Sequence, residues 1–445
     1  MSGSRGATVL DDLPEPIVVE EILVRLPCED VLRCRTVRKS WRSATSTNDF
    51  MLAHHLRQPA LPLVNIFQEN LRCNCTQCYN SINNGDAYDN YVAFRRAAAG
   101  MADPKLRPVL RTSPTTNWPM LHAACHGFFL VSNIDPVGDR AFYVCNPATR
   151  QCAPLRQLAD CCLSTFILGF YRHHPSGEYR VLYMSDDGRR VLYYILTVGS
   201  SHEPRCIYEG NAHKSGAFSV IGSTFVIRSV DQALWLGLPP SFNDPPVQHR
   251  GSLHWETGRS YNSINVVCDN ILVFDTMAET FRRMQRPAAL GALALCNTID
   301  DWVVLDILVM QDYEAEVWAL EFRIHLLEVA APLLLHSSLH LPSSSSGGYN
   351  YAKMVTVNNR ELLIKLPWAR CLLHCDVDGK LLGSVESKDA DYLGITSKSI
   401  GIGCSAWDEC LVTSRLLQES ISPLPSFEMR GEDGVSKPHP FILAS

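Results

Sequence analysis

Thiols and imidazoles are the side chains here with the most chemistry to offer. Cys73, Cys75 and Cys78 lie together in RCNCTQC. Three thiolates so close could hold zinc, with Cys161, Cys162 or a histidine completing the set. Structural zinc sites are usually built from paired knuckles, however, and this is a single cluster with no obvious fourth ligand. A cysteine-containing loop is the expected reading, and no cofactor is expected. His122, Cys125 and His126 form a second group. In a strand, His122 and His126 share a face and Cys125 faces away. Hydrogen bonds to backbone are expected there rather than ligation, and His173-His174 falls in an expected turn. GIGCSA (401–406) fits the loose dinucleotide fingerprint but lacks a surrounding strand–helix–strand unit. No G-x-S-x-G, H-E-x-x-H or G-x-x-x-x-G-K-[ST] motif occurs, and no Cys–His spacing pairs a nucleophile with a base. The chain does not read as an enzyme.

The clearest positional pattern lies earlier, from Leu13 to Leu56. Pro14 and Pro16 suit a helix start, where a missing N–H costs nothing. Val18, Val19, Ile22, Leu23 and Leu26 then cover one arc of about 140°. Ile17 and Val24, seven residues apart, are expected on the opposite side. Pro27 ends the helix. A second helix is expected from about Glu29, with Val31, Leu32 and Cys34 inward and Arg33 and Arg35 outward. A third carries Val37, Ser40, Trp41 and Ala44 on one face. Asp49 is the expected cap of a fourth, from Phe50 toward Leu56. Three or four helices in so short a span make a small core that is hard to stabilise alone. The apolar surplus points to docking; packing on the rest of the chain is the plainer alternative.

This segment resembles an F-box. The motifs are LP at Leu13-Pro14, ILVRLP at Ile22–Pro27 and VLRCRTVRKSW at Val31–Trp41. Thr36 and Arg38 stand where plant members often carry Cys. The resemblance implies binding to a Skp-type adaptor, and through it to a cullin–RING ubiquitin ligase. The adaptor-binding residues it implies are Leu13, Pro14, Ile17, Ile22, Leu23, Leu26, Leu32, Val37 and Trp41, some of which must form the unit's own core.

The rest of the 445 residues is enough for one large repeat domain or two ordinary ones. A formal charge of −6 leaves no footprint for nucleic acid or an anionic membrane. The longest apolar-looking run, 326–341, is broken by Glu328, Pro332, His336 and His340, so no membrane span is expected. The 17 cysteines are scattered, many in apolar settings such as Cys145, Cys268, Cys296 and Cys404. With no signal peptide evident, a reduced intracellular protein is expected, in cytoplasm, nucleus or both, with cysteines as small core residues.

From Trp118 short Val, Ile, Leu, Tyr and Phe runs alternate with Gly, Pro, Asn and Asp clusters. Tyr143–Leu155, Leu272–Met284 and Leu373–Val385 each read as strand, Asx turn, strand. Asn146, Asp275 and Asp376 align at the start of the turn, where their side chains can bond the backbone two residues on. Val191–Ile207 and Ala315–Leu327 are weaker relatives. Each follows an expected inner strand: His126–Ser132, Leu168–Met184, His249–Thr257, Leu290–Cys296 and Ala352–Leu366. Such repeats indicate a β-propeller of about six blades; two sandwiches are the alternative. Most of Trp235, Trp255, Trp302, Trp318, Trp368 and Trp407 are expected in packing.

In this order, Gly127–Leu130, YVCNPATRQ, LGFYRHHPSGEYRVLYM, GSLHWE and ILVFDTMAETFRRM resemble the F-box-associated domain of plant F-box proteins. His173-His174 departs from the turn Asp of relatives, and RCNCTQC lies outside the pattern. The expected plan is therefore a small all-α F-box of three to four short helices, then an all-β, propeller-like domain. Residues 1–12 form a disordered leader, 13–57 the F-box, and 58–117 a linker with the Cys-containing insert and first strands. The β domain covers 118–420, and 421–445 is a disordered tail. The implied role is recruitment of a protein substrate to the ligase. A ligand-binding or hydrolytic propeller with a non-degradative F-box arm is the other possibility.

Overall fold

The structure, a computed structural model, describes residues 13–68, 88–94, 106–112, 120–134, 140–155, 158, 165–186, 190–211, 218–221, 224–227, 246–256, 270–285, 294–299, 304–326, 328–329, 353–358, 360–365, 372–385, 408–424 and 441–443. The leader at 1–12, the cysteines at 73–78, Cys161-Cys162, Cys268, GIGCSA with Cys404, and Trp235, Trp302, Trp368 and Trp407 lie outside them.

Short helices come first. Helix α1 (Glu15–Ile17) runs on as a π turn (Val18–Ile22) and a 3₁₀ turn (Leu23–Arg25). Helices α2 (Cys28–Val37), α3 (Lys39–Thr45) and α4 (Asn48–Arg57) follow. Thr47, not Asp49, caps α4: its Oγ1 accepts the Phe50 N–H at 3.3 Å.

Antiparallel sheets make up the rest. One joins the two ends of the chain, in the order β25 (Asp408–Gln418), β1 (Ala60–Gln68), β2 (Tyr88–Phe94), β3 (Leu106–Thr112), β26 (Phe441–Leu443). The segment read as a linker thus supplies three strands, and the expected tail supplies β26. The second sheet is a meander of β4 (Met120–Cys125), β5 (Phe128–Ile134), β6 (Arg140–Asn146) and β7 (Gln151–Pro154). The third holds β8 (Thr165–Arg172), β9 (Tyr179–Asp186), β10 (Arg190–Thr197) and β11 (Arg205–Asn211). Strands β12 (Phe218–Ile221) and β13 (Thr224–Ile227) pair with each other, and among the described residues with no third strand. Then come β14 (Val247–His249), β15 (Ser252–Glu256), β16 (Asn270–Asp275) and β17 (Thr280–Gln285). Strands β18 (Ala294–Ile299), β19 (Val304–Asp312) and β20 (Val317–His325) form a three-stranded sheet. The last is β21 (Lys353–Asn358), β22 (Glu361–Lys365), β23 (Leu372–Asp376) and β24 (Leu381–Val385).

The aligned Asx turns are present, with the side chain bonding two residues on at Asn146 and Asp275 but four residues on at Asp376. Asn146 Oδ1 accepts the Ala148 N–H at 2.9 Å, and Asp275 Oδ1 accepts Met277 at 2.8 Å and Ala278 at 2.9 Å. Asp376 Oδ1 accepts Lys380 at 2.7 Å. Asp312, just before the segment taken from Ala315, does the same for Glu314 and Ala315 at 3.0 Å. Four residues after Asn146, Asp275 and Asp312, the chain takes φ 58° at Arg150, 54° at Glu279 and 54° at Glu316. The Gly-aromatic segments at 126–132 and 249–257 are corrected in position. Each begins at a hairpin turn and forms the second strand of its sheet, with β4 or β14 before it.

Side chains join the six larger sheets to one another. Leu63 and Leu417 pack with Leu121 and Phe129 between the first two sheets, and Phe128 and Phe142 with Phe170 and Val181 between the next two. Trp255, 4% exposed, donates to Leu168 O at 3.2 Å across the next junction. There the Glu279 carboxylate also accepts Tyr171 Oη at 2.8 Å and the Arg180 and Arg205 guanidiniums. Tyr313 packs with Ile271 and Met284; Ile307 and Leu326 pack with Ile364 and Leu373. Phe94 meets His374 edge-on, centroids 5.2 Å apart.

Cys145 is buried as expected but is not a free thiol: it is bonded to Cys152, its partner across β6 and β7. This is a correction to the fully reduced reading. Cys125 and Cys375 are free and buried, and burial pushes both thiols up to about 12, which suits inert core residues.

Gly127 tests the packing of the chain's end on this body. It adopts φ 81°, and a Cβ there would stand 2.7 Å from Ser420 Cβ and 2.9 Å from Gln418 O. Gly127→Ala is expected to cost about 1–3 kcal/mol from backbone conformation alone, with the contact added. Urea unfolding measures it; an unmoved midpoint would refute the close approach.

Candidate functional site

The helical unit divides sharply into core and surface. Val18, Val19, Leu23, Val24, Val31 and Trp41 belong to one buried cluster, closed by Phe50 and Met51 of α4. Leu23 is 2% exposed and Trp41 6%. Of the nine residues that the family resemblance marks for adaptor contact, these two are core. Ile22, Leu26 and Leu32 are half-buried. Leu13, Pro14, Ile17 and Val37 are exposed, Ile17 at 45% and Val37 at 66%. Sequence reasoning missed Leu52 and Leu56, which are also exposed and share a face of α4 at a spacing of four.

Val24 was expected beside Ile17 and is buried instead. The reason is the π turn at Val18–Ile22. A π turn rotates the chain less per residue than an α-helix, so positions seven apart no longer align. The 3₁₀ turn after it, at Leu23–Arg25, then turns Val24 inward. Arg35 also departs from its expected outward position. Its Nε donates to Thr45 Oγ1 at 3.0 Å and its Nη2 to Thr45 O at 2.6 Å, tying α2 to the end of α3. Val37 is exposed rather than sharing a face with Trp41, because α2 ends at Val37 and extended Arg38 separates it from α3; Ser40, one helical step from Trp41, is exposed as well. The Arg38 guanidinium lies 5.1 Å over the Trp41 ring.

The outer face carries both signs of charge. Arg25 pairs with Glu21 at 2.6 Å and Arg33 with Asp30 at 2.8 Å, both well exposed. Such pairs contribute little to stability.

A third side of the unit faces the β domain. His55 Nδ1–H donates to Glu419 O at 3.0 Å, and Gln418 Nε2 donates to His55 O at 2.9 Å and Gln58 O at 3.1 Å. Ile421 enters the helical core, and Ala148 packs against it. His126, at φ 48° in the β4–β5 turn, presents its ring edge-on to His55, centroids 5.3 Å apart. The expectation that His122 and His126 share a strand face is therefore corrected. His122 sits at a bulge and bonds Ser132 Oγ at 2.7 Å, while His126 lies past the strand end. His173 is in a turn as expected, with Nδ1 2.8 Å from Ser176 Oγ. Among the described residues no group of three or more His, Cys, Asp or Glu is placed to hold a metal ion, and no helix is long and apolar enough to cross a membrane.

Burial holds His54 and His55 below the usual imidazole pKa. It takes His126 to about 4, where His55, Arg172 and His174 add positive charge against protonation. These folded values lie below the unfolded one, so the unfolded chain binds more protons as pH falls. The histidines' contribution is fully present above about pH 6.5 and is lost on acidification. Hydrogen exchange at 48–58 is expected to accelerate between about pH 7 and pH 5, beyond the intrinsic pH effect on exchange. His126→Gln should flatten that dependence; an unaltered profile would show that the ring does not titrate against folding. Leu23→Ala is expected to destabilise the unit by about 2–5 kcal/mol and Trp41→Ala by about 3–5 kcal/mol. Asp at Ile17 or Val37 should change stability by less than about 0.5 kcal/mol. Urea denaturation followed by far-UV circular dichroism ranks the four.

No family model matches the chain. It is 23% identical over 316 residues to an inferred F-box protein of Arabidopsis thaliana, across 68% of this chain. The chain spans 64% of that relative's length. Among solved structures, a chain of the mitotic checkpoint complex is similar over 66% of this chain and 74% of its own, at 12% identity and a TM-score of 0.28. An inferred 6-phosphogluconolactonase of Bacteroides uniformis is similar over 74% and 80%, at 11% identity and a TM-score of 0.28.

Proposed function

We propose that this protein is the substrate-recognition subunit of an SCF-type cullin–RING ubiquitin ligase. The helical unit is an F-box that docks a Skp-type adaptor. The β domain is a propeller of about six blades whose loops recruit a target protein for ubiquitination. The role is proximity and orientation, not chemistry.

One observation carries the reading. Once the helical core is satisfied from both sides, Leu13, Pro14, Ile17 and Val37 are still exposed, in a segment that follows the F-box pattern along its length. Apolar residues left outside a filled core are what an interface offers a partner. The Arabidopsis relative, itself named as an F-box protein, supports the same assignment. The propeller reading is supported by the recurring Asx hairpins, the four-stranded meanders and the strand β25 that pairs with β1. In folds of that kind such pairing of chain ends removes free edges.

The test is co-purification with a recombinant Skp-type adaptor. Ile17→Asp combined with Val37→Asp changes exposed residues only, so the fold should survive. Adaptor recovery is expected to fall at least about tenfold. Recovery equal to wild type, from protein with a native far-UV spectrum, would sink the assignment of this surface.

A further inference from the structure

We infer that Gln418–Ser422 is a latch that completes the helical unit's core and fixes the unit's orientation on the β domain. Ile421 is 1% exposed and lies in the same cluster as Val18, Leu23, Trp41 and Phe50. Among the described residues it is the one fully buried member of that cluster from outside residues 18–51. Gln418 and Glu419 bond the last turn of α4 and the residue after it through His55 and Gln58.

The latch is itself held from the other side. Gln418 pairs with Ala60 at the end of the β1–β25 ladder. Asn146 Nδ2 donates to Ser420 O at 2.9 Å and Ser422 O at 2.8 Å. The Glu419 carboxylate, 10% exposed, receives the Arg107 guanidinium. Gly127 leaves room for Ser420 to lie against the β4–β5 turn. The segment therefore bonds the helices with one set of groups and three separate strands or turns with another. A loose tether would not need both.

The order of events along the chain follows. The helical unit is synthesised first, yet its core is filled by a residue more than three hundred positions later. A chain that has not placed residues 418–422 presents the unit incomplete and free to reorient. Under the proposed function, presentation of Leu13, Ile17 and Val37 in a fixed direction would thereby depend on a finished β domain. That last consequence rests on the adaptor reading; the latch does not.

Hydrogen exchange on the full chain tests it without any adaptor. Ile421→Asp is expected to raise exchange across α2–α4 at least about tenfold while β8–β11 keep wild-type protection. Asn146→Ala, which leaves Ile421 in place and releases the segment from behind, should act in the same direction more weakly. Exchange in the helices within about twofold of wild type for Ile421→Asp would overturn the latch, because the unit would then be self-sufficient. Equal loss of protection in helices and β8–β11 would overturn it too, since the segment would then be a general stability element. If exchange responds as expected but wild-type protein captures no Skp-type adaptor, the adaptor reading fails and the latch stands.

Discussion

The pairing of β25 with β1 is the contact on which the other parts depend. It joins residues far apart in the chain, paired from Gln68 with Asp408 to Ala60 with Gln418 with one register shift between Pro62 and Val64. Strand β1 begins three residues after α4 ends, so the ladder's last rung brings the C-terminal segment directly under the helices. Closing so long a loop costs conformational entropy that grows only slowly with its length. Buried Leu63 and Leu417 on this sheet, with Phe129 and Val131 of the next, supply the offsetting apolar burial.

Local and long-range forces divide the work. The β6–β7, β16–β17, β19–β20 and β23–β24 hairpins are each set by their own turn: an Asx carboxyl or amide oxygen binds backbone N–H groups two to four residues on, and a left-handed residue or glycine closes it. Such bonds are worth about 1 kcal/mol each and fix register rather than tertiary placement. Placement comes from large side chains between sheets, Trp255 against Leu168 and Tyr313 against Met284 among them. The buried Glu279 carboxylate is a polar pin at one junction; its partners Tyr171 and Arg180 both come from the neighbouring sheet. Pins of this kind add specificity more than net stability.

What the sequence made legible was local. The helical segment could be placed because proline positions and apolar spacing act within a few residues, and the Asx turns because one side chain sets each. Asp312 escaped because its hairpin was aligned from Ala315, three residues past the one that shapes the turn. Val24 was misplaced because nothing in VVEEI announces a π turn. The Cys145–Cys152 bond could have been suspected: a strand–turn–strand reading of 143–155 already sets the two residues opposite each other. The latch was beyond reach, since His55 and Glu419 are 364 residues apart and neither carries a motif.

That last gap bears on how the helical segment's apolar surplus is to be understood. In sequence it looks like a small unit with more hydrophobic surface than it can bury, and an external partner looks like the better explanation for Ile17, Val24 and the Leu13-Pro14 entry. Part of the surplus is internal. Val24 closes inward, and Ile421 arrives from the far end of the chain to pack with Leu23 and Trp41. A helical unit of this size has too little interior to be stable alone, and here the β domain lends it some. The residues left for a partner are then fewer and different: Leu13, Pro14, Ile17 and Val37 from the expected set, with Leu52 and Leu56 added. Substituting Leu23 or Trp41 would weaken any partner's binding simply by unfolding the surface, so only the exposed members can report on an interface.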